Sequence, residues 1–140
     1  MKKQKLIKTL GLVVLLMFAT TAFGQVYKLK ATSSSYRYIT NQNTWSEWSE
    51  LSESGVLISI DLNNDRITIY STTHQVYDIA TYEGKTIDKD GDVIFSYFCI
   101  DKNGLTCRVQ TMTRHSQNGK MQMYVYYDDM NWGYNINFIE

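Results

Sequence analysis

The stretch Val56-Leu57-Ile58-Ser59-Ile60-Asp61-Leu62-Asn63-Asn64-Asp65-Arg66-Ile67-Thr68-Ile69-Tyr70-Ser71 decides the fold. Apolar and polar residues alternate on both sides of Asn63-Asn64, the two-residue period of a half-buried strand. A two-residue turn at Asn63-Asn64 pairs Ile60 with Ile67 and Ile58 with Ile69. The same register sets Asp61 opposite Arg66 and Ser59 opposite Thr68, so one face is aliphatic and the other polar. Slipping by one residue pairs Ile60 with Arg66 and mixes the faces. The first register is therefore the predicted one.

The same punctuation recurs outward from this hairpin. Asp61-Leu62-Asn63-Asn64, Asp88-Lys89-Asp90-Gly91 and Asp101-Lys102-Asn103-Gly104 share one pattern. The leading Asp bonds backbone two residues on, and the closing Gly or Asn accepts a positive φ. Asn118-Gly119 adds a fourth hairpin signal. Between these signals the pattern predicts strands over 56–62, 66–71, 75–82, 93–100, 105–111, 121–128 and 132–139, with two more over 26–31 and 36–40. No helical period is sustained after residue 24. Proline is absent, and 11 Tyr and 3 Trp suit a pleated surface. The reading is all-β, a small antiparallel meander barrel, with a two-sheet β-sandwich as the alternative.

The N-terminus gives a destination. Lys2, Lys3, Lys5 and Lys8 precede an apolar run over 10–19 and a small-residue exit ending at Gly24. This is the pattern of a secretory signal peptide over 1–24, and its apolar run is shorter than the ~20 residues that span a bilayer. Residues 25–140 then form a single β-barrel-like domain, periplasmic or extracellular, starting at Gln25. No later segment approaches transmembrane length. The chain carries 14 basic and 14 acidic residues, and four of the Lys lie in the signal region, which leaves the exported part at −4. With no basic cluster, phosphate neutralisation has no donors, so nucleic acid is not among the expected partners.

Cys99 and Cys107 flank the Asp101–Gly104 turn. A three-residue loop at Lys102-Asn103-Gly104 pairs Asp101 with Leu105 and puts Cys99 opposite Cys107, at a separation that suits a disulfide. An oxidising compartment favours that outcome. A two-residue Asn103-Gly104 turn instead sends the cysteines to opposite faces and leaves two buried thiols.

Asp88, Asp90 and Asp92 resemble half of a calcium loop. The Gly falls at the fourth position and not the sixth, and Cys99 occupies the twelfth, so a solvated hairpin turn is the expected reading and a weak calcium site the alternative. His74 and His115 stand in predicted loops without metal-ligand spacing. No nucleophile elbow is present, and no catalytic residue, metal or cofactor is assigned. Tyr77, Tyr97, Tyr124, Tyr126 and Tyr134 alternate through strands, either as packing or as the lining of a cavity with hydroxyls that orient a ligand.

Trp45-Ser46-Glu47-Trp48-Ser49 resembles the Trp-Ser-x-Trp-Ser motif of class I cytokine receptors, where tryptophans stack with cations from a neighbouring strand. Here it stands early in the exported part. Two readings remain open: a Trp pair that covers one end of the core, or an exposed platform for a sugar or apolar ligand. Residues 56–128, with the Asp88–Gly91 turn and Cys99 and Cys107 around Asp101–Gly104, resemble a group of short exported proteins of Gram-negative anaerobes that have no assigned activity. The overall plan is similar to the lipocalin and avidin architectures, up-and-down barrels of eight strands, without the lipocalin Gly-x-Trp signature near the first strand.

The functional expectation is an exported, non-enzymatic binding protein. Its ligand is small and apolar or aromatic, with Trp45, Trp48, Tyr97, Tyr126 and Trp132 as candidate contacts. The alternative is a module that binds an envelope protein through an outer face around Trp45, Trp48 and Trp132.

Overall fold

A computed structural model describes residues 25–139; the signal peptide expected over 1–24 lies outside the described residues. The strands are β1 (Val26–Tyr38), β2 (Ser52–Glu53), β3 (Leu57–Asp61), β4 (Arg66–Tyr70), β5 (Gln75–Ile87), β6 (Val93–Asp101), β7 (Thr106–Arg114), β8 (Lys120–Tyr126) and β9 (Met130–Phe138), with one 3-10 turn at His115–Gln117. Each of β3 to β9 pairs antiparallel with its sequence neighbour, and β9 pairs with β1. Eight strands thus close a barrel and β2 is an extra pairing on β1. Closure excludes the sandwich alternative. It also removes the free edges that an open sheet would expose.

The deciding hairpin has the predicted register. Ile58 faces Ile69, Ile60 faces Ile67, Ser59 faces Thr68 and Asp61 faces Arg66. The loop between them is longer than predicted. Residues 62–65 all turn, and Asp65 takes φ 50. The Asp61 carboxylate explains why: it accepts from the backbone N–H of Asn63 and of Asn64 and from the Asn64 amide, which tightens four residues into one turn. The other two Asp-led turns work alike. Asp88 accepts from the N–H of Asp90 and Asp92, and Asp101 from the N–H of Asn103 and Leu105. Asp88–Asp92 is therefore a self-satisfied turn. The Asp92 carboxylate is taken by the Ser116 N–H and hydroxyl. No group of metal ligands occurs among the described residues.

The two N-terminal strands expected over 26–31 and 36–40 are one strand, β1, kinked by a bulge between Ala31 and Ser33. The intervening Thr32-Ser33-Ser34-Ser35 has no apolar alternation, so the sequence reads as a break. The backbone continues because both of its edges are paired there, with β9 on one side and β2 on the other.

Inward-facing Leu29, Ile58, Ile60, Ile67, Ile69, Val109, Met123, Val125 and Ile136 make one closed core. Near complete burial at ~25 cal/mol per Å2 makes each of these worth roughly 1.5–3 kcal/mol over exposure. Cys99 lies directly opposite Cys107, as the three-residue loop requires: Asp101 N–H bonds the Leu105 carbonyl, and Gly104, at φ 79, closes the bulge. The expected disulfide is nevertheless not formed, and both thiols are free and buried. The Asp101–Leu105 bond fixes the alternation of the ladder and makes Cys99–Cys107 a hydrogen-bonded pair. Side chains stand farther apart in such pairs than in the alternating ones. Cys99 Sγ turns instead to the Tyr97 carbonyl at 3.8 Å. Burial pushes the Cys99 thiol up to about 12 and the Cys107 thiol up to about 11, so both are protonated and inert.

Candidate functional site

The strands leave a cavity of about 370 Å3 at the end of the barrel where β1 begins and β9 finishes. Leu29, Ile60 and Ile136 form its floor, and Tyr27, Tyr82, Phe95, Tyr97, Met121 and Phe138 its wall and rim. Tyr82 and Tyr97 pair across β5 and β6 with ring centroids 5.3 Å apart, and Tyr27 meets Phe138 at 6.4 Å. The polar groups are few: Gln25, Thr111, Thr113 and the tyrosine hydroxyls. Gln25 is engaged by the Tyr27 hydroxyl at 2.8 Å. Among the described residues no charged side chain lines the cavity. Burial pushes the Tyr97 hydroxyl up to about 12, which keeps it a neutral donor at physiological pH. The site offers apolar surface, flat aromatic faces and a few uncharged hydrogen-bonding groups. Nothing in it pairs a nucleophile with a base.

The opposite end is polar. A recess of about 340 Å3 lies among Gln75, Tyr77, Asp101, Lys102, Tyr127 and Trp132. The Tyr127 hydroxyl donates to Asp101 at 2.7 Å and the Lys102 ammonium to the His74 carbonyl at 2.9 Å. Burial pushes Asp101 up, but the bonds from Tyr127, Leu105 and Asn103 outweigh it and hold its carboxyl below the usual range. These hydrogen bonds fix the polar groups around that recess.

The expected site residues separate into three places. Tyr97 alone is in the apolar cavity. Trp132 faces inward at the polar end, packed on Tyr36 at 5.3 Å. Tyr126, expected inward, faces outward. Along β8 the buried residues are Met123 and Val125, so Tyr124 and Tyr126 share the outer side, stacked at 5.6 Å and 13°. Their size invites an inward assignment, but the thioether and valine positions fit the closed core.

Trp45 and Trp48 also stand on the outer wall, and here the Trp-Ser-x-Trp-Ser spacing is structural. Residues 45–49 run along β1 beyond β2. Ser46 N–H donates to the Tyr38 carbonyl at 2.8 Å, and Tyr38 N–H returns to Ser46 Oγ at 3.1 Å. Ser49 repeats this with Tyr36 at 2.8 and 3.0 Å. Each serine thereby satisfies one backbone N–H and C=O of an otherwise unpaired strand edge. Between them Arg37 projects outward, its guanidinium carbon 4.8 Å from the Trp45 ring centre and 5.0 Å from that of Trp48. With the Asn131 amide oriented to suit its neighbours, its oxygen accepts from Arg37 Nε at 3.0 Å and Nη2 at 3.1 Å, and its nitrogen donates to the Met130 carbonyl. The cation from a neighbouring strand is thus Arg37. The Trp pair covers the barrel wall and not the end of the core.

Sequence reasoning missed Arg37 and most of the cavity. Tyr82 was hidden by parity. A bulge at Ala80 moves the inward position from the odd residues Tyr77 and Ile79 to Tyr82, opposite Tyr97. Tyr27 and Phe138 were legible as strand residues, but only closure of β1 on β9 brings them together. Comparison of the chain with models of protein families, with curated proteins and with solved structures gives no match.

Proposed function

We propose that the protein is exported and binds, without chemistry, a small neutral apolar or aromatic ligand in the cavity between Tyr27, Tyr97 and Phe138. The observation that carries this reading is an uncharged, aromatic-walled cavity of about 370 Å3, open at one end of a closed barrel. It falls within the size range of small-molecule sites, and its apolar lining with a few polar groups matches their usual composition. A ligand of about fifteen non-hydrogen atoms, at roughly 0.3–0.5 kcal/mol each, binds with a Kd between a few micromolar and about a millimolar.

Native mass spectrometry of the protein isolated from its own host tests the reading. A reproducible small added mass on a monomer supports a carrier and gives the ligand's class. A bare monomer that also fails to take up N-phenyl-1-naphthylamine, a neutral aromatic probe, rejects it. A co-purifying protein in place of a small molecule supports the second reading, a module that docks through its outer aromatic wall. That reading is favoured by Trp45 and Trp48, each 39% exposed on the outer wall around Arg37.

A further inference from the structure

We propose that a groove on the outer wall, between Trp48 and Tyr124, is a subsite for one neutral pyranose unit of a glycan. The groove encloses about 170 Å3, the scale of a single sugar ring, and is separate from the barrel cavity. Gly133 makes it. A Cβ there would lie 3.0 Å from the Tyr124 ring and 3.4 Å from Trp48, so the missing side chain lets both rings settle onto β9. Their centroids are 6.0 Å apart at 64°, an edge-to-face contact, with Arg37 on one face of Trp48 and Tyr126 on one face of Tyr124. The face of an aromatic ring is electron-rich and takes the polarised C–H groups of a pyranose.

The floor carries the hydrogen-bonding half of the site. Arg114 Nη1 and the Tyr124 hydroxyl both donate to Gln122 Oε1, at 3.1 and 3.0 Å, which fixes the amide with its nitrogen toward Asn135. Gln122 Nε2 donates to Asn135 Oδ1 at 3.1 Å, and Asn135 Nδ2 to Ser33 Oγ at 2.7 Å. An amide nitrogen has two hydrogens. Each of these two spends one within the chain and keeps one for a ligand. Ser35 lines the same groove and adds a hydroxyl, both donor and acceptor. The array is preorganised on paired strands, so binding orders little. Among the described residues the lining of the groove is uncharged, and the nearby guanidiniums of Arg37 and Arg114 are already engaged, by the Trp48 ring and by Gln122 and Asp92. An apolar ligand would strand the amides and the hydroxyl without partners.

The test is a titration of the isotope-labelled protein with methyl glycosides of glucose, galactose, mannose and N-acetylglucosamine, followed by two-dimensional NMR. For at least one sugar, the Trp48 indole N–H and the Gln122 and Asn135 side-chain amides shift together and saturate with a Kd on the order of millimolar. Asn135→Leu weakens that binding about tenfold. If this variant fails to fold, Ser35→Ala serves in its place with a loss of about threefold. Signals that stay unmoved to about 50 mM of every sugar overturn the proposal. So do shifts that centre on Tyr97 and leave Trp48 unchanged.

Discussion

Arg37 offers the sharpest test of how the wall is held. Arg37→Ala removes two cation–π contacts. Both lie within ~6 Å of a ring centre, and at half-exposed positions they are worth about 0.5–1 kcal/mol each. It also strips the forked donor from the Asn131 oxygen. Asn131 is 3% exposed, and a buried acceptor that loses its donors costs about 1–3 kcal/mol. The sum is about 3 kcal/mol. For a barrel of ~115 residues, with an unfolding entropy of ~2.1 cal/mol/K per residue, this lowers Tm by about 12 °C. Urea unfolding followed by Trp fluorescence measures it. A double-mutant cycle with Trp48→Ala isolates the stacking part, expected at about 0.5–1 kcal/mol. Arg37→Lys keeps the charge but loses the fork, and falls between wild type and Ala. A cost for Arg37→Ala below ~1 kcal/mol, or strict additivity with both tryptophans, refutes the clamp.

Four further outcomes follow from the same geometry. Thr111→Trp fills the cavity and abolishes uptake of N-phenyl-1-naphthylamine while the barrel still unfolds cooperatively; unchanged uptake means that the probe binds elsewhere. Gly133→Ala pushes Tyr124 off β9 and costs about 1–3 kcal/mol by overpacking, measured by urea unfolding; a neutral effect shows that the ring moves freely. The native protein resists thiol alkylation, and the denatured protein takes up two equivalents without prior reduction; zero uptake on denaturation contradicts free cysteines. Burial raises the thiols of Cys99 and Cys107, and Tyr77, Tyr97, Tyr126, Tyr127 and Tyr134 as well. The unfolded chain then releases these protons first, so stability is full below pH ~9 and falls as pH climbs from there to ~12. Absorbance at 295 nm should show these five tyrosines ionising only with unfolding.

The residues that could be read from the chain and those that could not differ in a physical way. Ile58, Ile60, Ile67 and Ile69 alternate strictly with polar neighbours, so register, faces and pairing followed from local pattern. Cys99 and Cys107 were placed opposite each other by one turn rule, but their bonding depended on which kind of ladder pair they occupy. Thr32–Ser35 looked like a break because its support comes from segments distant in sequence. On β8 both faces are rich in large side chains, so Tyr126 and Val125 competed for the interior and only packing decided. The bulge at Ala80 inverted parity without any glycine or proline to announce it. The cavity itself is a property of closure. It depends on how β1 meets β9, and no local window contains both.

That meeting has a consequence for how the chain reaches its folded form. Ser33 and Asn135 are hydrogen-bonded neighbours 102 residues apart, and β1 is synthesised long before β9. Contacts of such long range are late to form, because the loop must close before they contribute. Until then, the β9-facing edge of β1 is an unsatisfied template open to any passing strand. On its other edge β1 is covered early by its near neighbours β2 and β3 and by the tryptophan-serine segment. Truncation anywhere in the last strand would leave a seam down the side of the barrel, and its characteristic failure is edge-to-edge aggregation rather than a smaller stable barrel.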